Sequence, residues 1–370
     1  MHPRLNIVSV AKRINITPLK LQNTLVQRPS TSRPKALALH RCFTRCETPR
    51  FSSASTAPLW TSPLDVKNRP VSIIGAGVLG RRLAVMWASN GRAVTLYDTN
   101  PTQLTAAAEY IADTLTSYCI ENNTHPGHVH STMDFHDAVK NSWMVIEAIP
   151  EKLTAKTALL GRVDKILPQD CIIATNSSCY KSSELVGEVK CRERVLNTHY
   201  YVPPRNTYVE LMSCGETAPT IFPFLVQNMK DVGLHPIIVP KQSAGMIFNR
   251  IWGTTKRETL RVLEEGLAKP EDVDALFKDF FHAQKGPCEK MDEVGLDTVA
   301  LVEKHYLSAR PELSTLHLDW LEENYVRPWA LGDKAGSGLY SATEKAQIKA
   351  QAAEKDCTDG KGDIKATGGQ

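Results

Sequence analysis

Paired cysteines, long apolar runs and acidic residues near the amino terminus are what this 370-residue chain lacks. Its nine cysteines (42, 46, 119, 171, 179, 191, 214, 288 and 357) include no pair in CxxC spacing. Their spacing suggests neither a zinc site nor a disulfide framework and fits a reducing compartment. No apolar run approaches the roughly eighteen residues of a membrane span, so none is predicted. A formal net charge of only +4 requires no polyanion, and no nucleic-acid partner is expected. Acids are nearly missing from residues 1–60, where Glu47 stands against ten Lys or Arg between Arg4 and Arg50. An Arg-rich, acid-poor leader with Ser, Thr and Pro reads as a mitochondrial transit peptide, which places the chain in the matrix. A basic tail with no address is the alternative.

What is present is patterned. Short apolar runs at Val71–Ile74, Val94–Tyr97, Met144–Ile146, Cys171–Ala174, Val195–Leu196 and Pro236–Val239 alternate with helix-length stretches. Among those stretches are Leu79–Asn90, Leu153–Ile166 and Phe222–Val232. Such alternation predicts an α/β fold, a Rossmann-type doubly wound and mainly parallel sheet, over residues 70–240. From Lys241 onward the strand runs stop. Gly245–Glu265, Pro270–Phe280 and Asp297–Leu307 have helical spacing, which predicts an all-helical C-terminal domain over residues 241–343. Residues 344–370, rich in Lys, Asp, Ala and Gly, are expected to form a disordered tail.

Gly75-Ala76-Gly77-Val78-Leu79-Gly80 follows the first strand run directly and opens the first helix. In a dinucleotide-binding turn the first glycine makes the bend, the second lets the backbone approach a pyrophosphate, and the third lets helix and strand pack closely. The helix N-terminus then presents free N–H groups to the phosphates. The second strand run ends at Asp98, eighteen residues past Gly80, where a carboxylate would bind both ribose hydroxyls. Thr99 and Asn100 follow it rather than an arginine, which favours NAD over NADP. An FAD site or a purely structural Rossmann fold is the alternative.

Removing hydride from a secondary alcohol requires a base for the hydroxyl proton, and imidazole suits that task near neutral pH. Of eleven histidines, His199 follows an apolar strand run, at the strand end where doubly wound folds place their sites. Eleven residues on, Glu210 lies inside the apolar run Val209-Glu210-Leu211. A buried acid needs a partner, and an imidazolium is one. A satisfied core histidine beside an unrelated edge-strand glutamate is the other reading.

These segments, with Glu147–Glu151, Thr175–Cys179, Ala244–Arg250, Gly286–Thr298 and Gly332–Tyr340, resemble the 3-hydroxyacyl-CoA dehydrogenase family in order and spacing, from about Val71 to Tyr340. The resemblance implies His199 as general base and Glu210 as its orienting, charge-balancing partner. It also implies Ser178 as hydrogen-bond donor to the substrate oxygen beside the nicotinamide, and Asn249 as a substrate-holding residue. Glu151, Lys156 and Lys334 match cofactor contacts, and the helical domain is expected to hold the substrate and form a homodimer. The implied reaction is reversible oxidation of a 3-hydroxyacyl-CoA to the 3-oxo thioester, as in fatty acid β-oxidation.

Two departures stand out. Val202 occupies a position where the family has asparagine, three residues after the histidine. From Thr99 to Val139 there is no Lys or Arg, and Glu121 stands where a lysine is expected. In the family this stretch is a helix–turn–helix excursion with basic contacts to the CoA nucleotide, so its bareness weakens a CoA substrate. A related branch acts on free hydroxy acids such as L-gulonate, and its Pro-Pro and Val-Glu-Leu segments resemble those here. A non-catalytic NAD-binding relative is a third reading. His125, His128, His130 and His136 match no standard metal-site spacing, and no metal is expected. Cys179 reads as a small packing residue.

Overall fold

The computed structural model describes residues 60–347; Met1–Leu59, which hold the expected leader, and the tail from residue 348 lie outside the described residues. Eight strands form one sheet: β1 (Val71–Ile74), β2 (Val94–Tyr97), β3 (Val129–Thr132), β4 (Met144–Glu147), β5 (Ile172–Thr175), β6 (Val195–Tyr200), β7 (Tyr208–Ser213) and β8 (His235–Val239). Their spatial order is β3-β2-β1-β4-β5-β6-β7-β8. All neighbours are parallel except β6 and β7, which pair antiparallel with His199 opposite Glu210. The order reverses between β1 and β4, and a doubly wound sheet opens its crevice at that switch point.

Helices cover both faces. On one side α1 (Val78–Ala88), α2 (Pro101–Glu121) and later α6 (Ile221–Lys230) pack on Val71, Ile73, Leu96 and Ile146. On the other, α3 (Phe135–Val139), α4 (Leu153–Asp164) and α5 (Ser182–Leu185) cover Ile74, Val145 and Ile173. Both faces of the central strands are therefore apolar, which is why they read as unbroken runs in the sequence. Ser72, fully buried in β1, is satisfied by the Ala138 carbonyl and the Ser142 hydroxyl, both at 2.5 Å.

The chain then becomes helical: α7 (Phe248–Glu264), α8 (Pro270–Phe281), α9 (Pro287–Val294), α10 (Leu296–Ala309) and α11 (Leu316–Leu321). Leu260, Leu263, Met291, Leu296, Val299 and Leu321 form their common core. Buried Glu303 ties this bundle together, accepting from Arg257 at 3.1 Å and facing His317 Nε2 at 3.1 Å.

One expectation needs correction, and one segment departs from the family pattern. The excursion between β2 and β3 is a single helix, α2, capped by the Asn100 side chain on the Thr102 N–H; its return to β3 contains no second helix. Residues 344–347, assigned by composition to the frayed tail, belong to a helical stretch at 342–347. Ser341 and Glu344 cap it reciprocally (2.7 and 3.2 Å), and Lys345 pairs with Asp292 and Asp333.

Candidate active site

The crevice beside the switch point is a cleft of about 780 Å³ lined by Gly75, Gly77, Val78, Leu79, Asp98, Glu151, Lys156, Asn176 and Ser178, among others. Gly75 adopts φ +111°, and a Cβ there would lie 2.6 Å from the Ala148 carbonyl oxygen. A side chain at Gly80 would overlap the Gly75 carbonyl, whereas Gly77 faces open space. The turn is closed on the protein side and open on the cleft side, the shape a pyrophosphate needs. Ala76 donates its N–H to Asp98 Oδ2 at 2.8 Å, and Asn100 donates to Oδ1 at 2.9 Å. Asp98 is thus fixed against the glycine turn, half-buried, with its anionic charge at the cleft edge. A ribose diol fits beside it and a 2′-phosphate is repelled.

The cleft floor is organised by carboxylates. Lys156, on α4, reaches back to Glu147 Oε1 (2.6 Å), Glu151 Oε2 (3.1 Å) and the Ile149 carbonyl (3.1 Å). Glu147, the last residue of β4, also accepts from Thr175 at the end of β5. Glu151 accepts from the Ser177 hydroxyl and, at 3.0 Å, from the Cys179 N–H. Burial works to raise the Glu151 pKa, but the Lys156 ammonium and these donors outweigh it and hold the carboxyl below its usual range. Glu151 and Lys156 therefore clamp the loop carrying Ser178 to the end of β4.

His199 ends up beside this cleft. Its Nδ1 faces the Asn176 carbonyl at 3.4 Å, and its Nε2 faces the Asn249 amide nitrogen at 3.2 Å. A carbonyl can only accept, so Nδ1 carries the proton and Nε2 presents its lone pair to the Asn249 N–H and to the space beyond. Burial pushes the imidazole pKa down, only partly offset by the Asn176 carbonyl and the Glu210 and Glu151 charges. The lowered pKa favours the neutral ring, the state a base requires. Tyr201 packs edge-on against it, with ring centroids 4.7 Å apart.

Glu210 lies opposite His199 in the sheet but makes no hydrogen bond to it. Its carboxylate instead accepts from the Ile247 and Phe248 N–H groups, each at 3.0 Å, at the start of α7. The expected orienting contact is absent: Asn176 and Asn249 orient the ring, and Glu210 acts on it through charge. The same carboxylate anchors α7, and with it Asn249, to the sheet.

Lys334, also expected to contact the cofactor, does not line the cleft. It sits in the turn Asp333–Ala335, ion-paired with Asp297 at the start of α10. Among the described residues no group of three His, Cys, Asp or Glu side chains is arranged to hold a metal, and His130 faces Asp137. Sequence reasoning missed Asn176 and Glu147. Both stand at strand ends inside the motifs quoted above, and strand-end position was the available signal.

The comparisons agree with this geometry. The model of the 3-hydroxyacyl-CoA dehydrogenase NAD-binding domain matches residues 70–243, and that of the C-terminal domain of the same family matches 245–342. The chain is 28% identical over 300 residues to 5-formyl-3-hydroxy-2-methylpyridine 4-carboxylate 5-dehydrogenase of Mesorhizobium japonicum, covering 78% of this chain and 94% of that one. It is 29% identical to the human mitochondrial hydroxyacyl-coenzyme A dehydrogenase, covering 78% and 95%. A 3-hydroxyacyl-CoA dehydrogenase-like protein of Cochliobolus heterostrophus is 40% identical over 148 residues, which cover 40% of this chain and 31% of that relative. The solved (S)-3-hydroxybutyryl-CoA dehydrogenase of Ralstonia eutropha superposes with TM-score 0.67 at 28% identity, covering 74% and 98%. With both domain models matched in sequence over one NAD-shaped cleft, the chain belongs to the 3-hydroxyacyl-CoA dehydrogenase family and is an NAD-dependent oxidoreductase.

Proposed function

We propose that the chain reversibly oxidises the 3-hydroxyl of a hydroxy acid to a 3-oxo group, with His199 as the base. One observation carries this reading: the buried His199 ring lies between the Asn249 amide at Nε2 and, at Nδ1, the carbonyl of Asn176, two residues before Ser178 on the same loop. Bound NAD supplies the hydride acceptor. Asp98 and the Gly75–Gly80 turn hold the nucleotide, and Ser178 donates a hydrogen bond to the substrate oxygen. Asn249 fixes that oxygen from the α7 side. His199 Nε2 takes the hydroxyl proton, and the buried Glu210 charge stabilises the resulting imidazolium. Glu151 and Lys156 keep the Ser178 loop in place rather than touching the reacting atoms.

The family resemblance points to a CoA thioester, but the geometry of α2 favours a free hydroxy acid. That helix has no Lys or Arg and no following helix. The arginines reaching it from α1, Arg81 and Arg82, stack on Tyr110 at 5.5 and 5.3 Å, and Arg82 donates to the Pro203 carbonyl. A nucleotide 3′-phosphate finds no committed cation on α2 itself. The Arg-rich leader supports delivery to the mitochondrial matrix. Exposed Leu276, Phe280 and Phe281 on α8 support a homodimer.

NADH formation is measured with 3-hydroxybutyryl-CoA and with free 3-hydroxybutyrate and L-gulonate. His199→Gln should lower kcat/KM on the working substrate by about 10²- to 10⁴-fold, with NADH affinity unchanged by fluorescence titration. A variant retaining most of its turnover removes His199 as base. A preference for the thioester restores the CoA reading.

A further inference from the structure

One face of α7 runs from the reaction centre into the helical core through Asn249, Gly253, Lys256, Leu260 and Leu263; all but Asn249 are fully or largely buried. Lys256 is the anomaly. It is 8% exposed, yet among the described residues it makes neither a hydrogen bond nor an ion pair. Nearby charge is already committed: Glu303 is held by Arg257 and His317. Burial lowers the Lys256 pKa, and the Glu303 charge offsets this only in part. A largely buried lysine without a protein partner is a poor packing element, because leucine or methionine fills the same space without partly desolvating a charge.

Its position suggests what the charge is for. Lys256 lies seven residues after Asn249, two turns along the same face and about 10 Å down the axis. Helical side chains lean toward the N-terminus, so its stem leads back toward Asn249. Cys179, the residue after Ser178, is an electrostatic neighbour of the Lys256 ammonium. His305 on α10 faces the Cys179 carbonyl at 2.9 Å and brings the helical domain against the same loop. Lys256 also lines a small cavity with Trp252, Met291, Val299 and Val302, with Lys290 among its lining residues too. This cavity is small, about 30 Å³, with Thr298 also in its wall, so it has room for the tip of the Lys256 side chain and one small polar group rather than a whole substrate.

We propose that Lys256 is the anion-binding residue of the substrate site, pairing with a free carboxylate of the hydroxy acid whose hydroxyl faces His199. This rests on the reading of His199 as base and assigns the free-acid preference to a single side chain.

The test uses the full chain as wild type, Lys256→Met and Lys256→Arg. The substrates are 3-hydroxybutyrate, L-gulonate and the uncharged methyl ester of 3-hydroxybutyrate, each with NAD. Losing one partner of a buried charge pair should lower kcat/KM for the acids by about thirtyfold or more, mainly through KM. The ester should fall far less, and Lys256→Arg should recover most of the acid preference. Acid and ester falling in parallel, or neither falling, overturns the proposal. A calorimetric titration of each acid into the enzyme–NADH complex keeps the test independent of turnover. Binding present in wild type and in His199→Gln but lost in Lys256→Met supports Lys256 even if the base is misassigned. Acid binding of equal strength in wild type and Lys256→Met, or absent from both, overturns it.

Discussion

The nucleotide-binding half and the helical half each bury a lysine, and they treat it in opposite ways. Lys156 is 1% exposed and surrounded by acceptors: two carboxylates and a backbone carbonyl. Lys256 is nearly as buried and has none among the described residues. The first is explained inside the protein. Its charge gathers Glu147 and Glu151, and through them Thr175, Ser177 and Cys179, so the ends of β4 and β5 keep one geometry before anything binds. The second is not explained inside the protein, and a ligand from outside supplies the missing charge. Burial of the same residue type thus marks a structural clamp in one half and a recognition site in the other.

The largest effect expected from breaking this comparison is on stability. Lys156→Met strands Glu147 and Glu151 in a desolvated site, and removing one partner of a buried ion pair destabilises by about 3–5 kcal/mol. Lys256→Met removes an unpaired buried cation and should leave the midpoint of chemical denaturation unchanged or higher. Equal losses in the two variants would mean that Lys256 has an internal partner after all, and the contrast between the halves would disappear.

How far this was legible from sequence depends on the distance between the residues involved. The glycine turn and Asp98 were readable because one strand–helix–strand unit contains them. β3 was not, since Val-His-Ser-Thr is half exposed at the sheet edge and has no apolar run. The partners of the Glu210 carboxylate were equally hidden. Val-Glu-Leu signals a buried acid, but its true partners are N–H groups 37 and 38 residues away, placed only when α7 docks on the sheet. In sequence Lys256 stands in a charged stretch with Arg257, Glu258 and Arg261, and only the packed bundle shows which face turns inward.

Glu210 joins the two halves, so its substitution tests them together. Its charge holds the His199 pKa up against burial. Glu210→Gln should therefore push that pKa further below the ordinary imidazole value. The acid limb of kcat/KM, set by protonation of the free enzyme's base, should move to lower pH, and the plateau should fall about ten- to hundredfold as the base weakens. The amide oxygen can still accept one α7 N–H, so folding should change by only about 1 kcal/mol. An acid limb that moves upward would show that Glu210 does not act on the ring through charge.

Val202 gives the smallest expected effect and the finest test of the division of labour. It is 48% exposed, three residues past His199, where the family has asparagine. Restoring the amide as Val202→Asn sacrifices little buried apolar surface. It offers one hydrogen bond, worth about 0.5–1.5 kcal/mol net, or roughly two- to tenfold in kcat/KM or cofactor affinity. Because Val202 belongs to the sheet half, that change should apply equally to charged and uncharged substrates. The ratio of acid to ester turnover should stay at the wild-type value while Lys256→Met collapses it. If Val202→Asn shifts the ratio as strongly as Lys256→Met does, substrate charge is read on the nucleotide side of the cleft, and the helical half contributes framework rather than recognition.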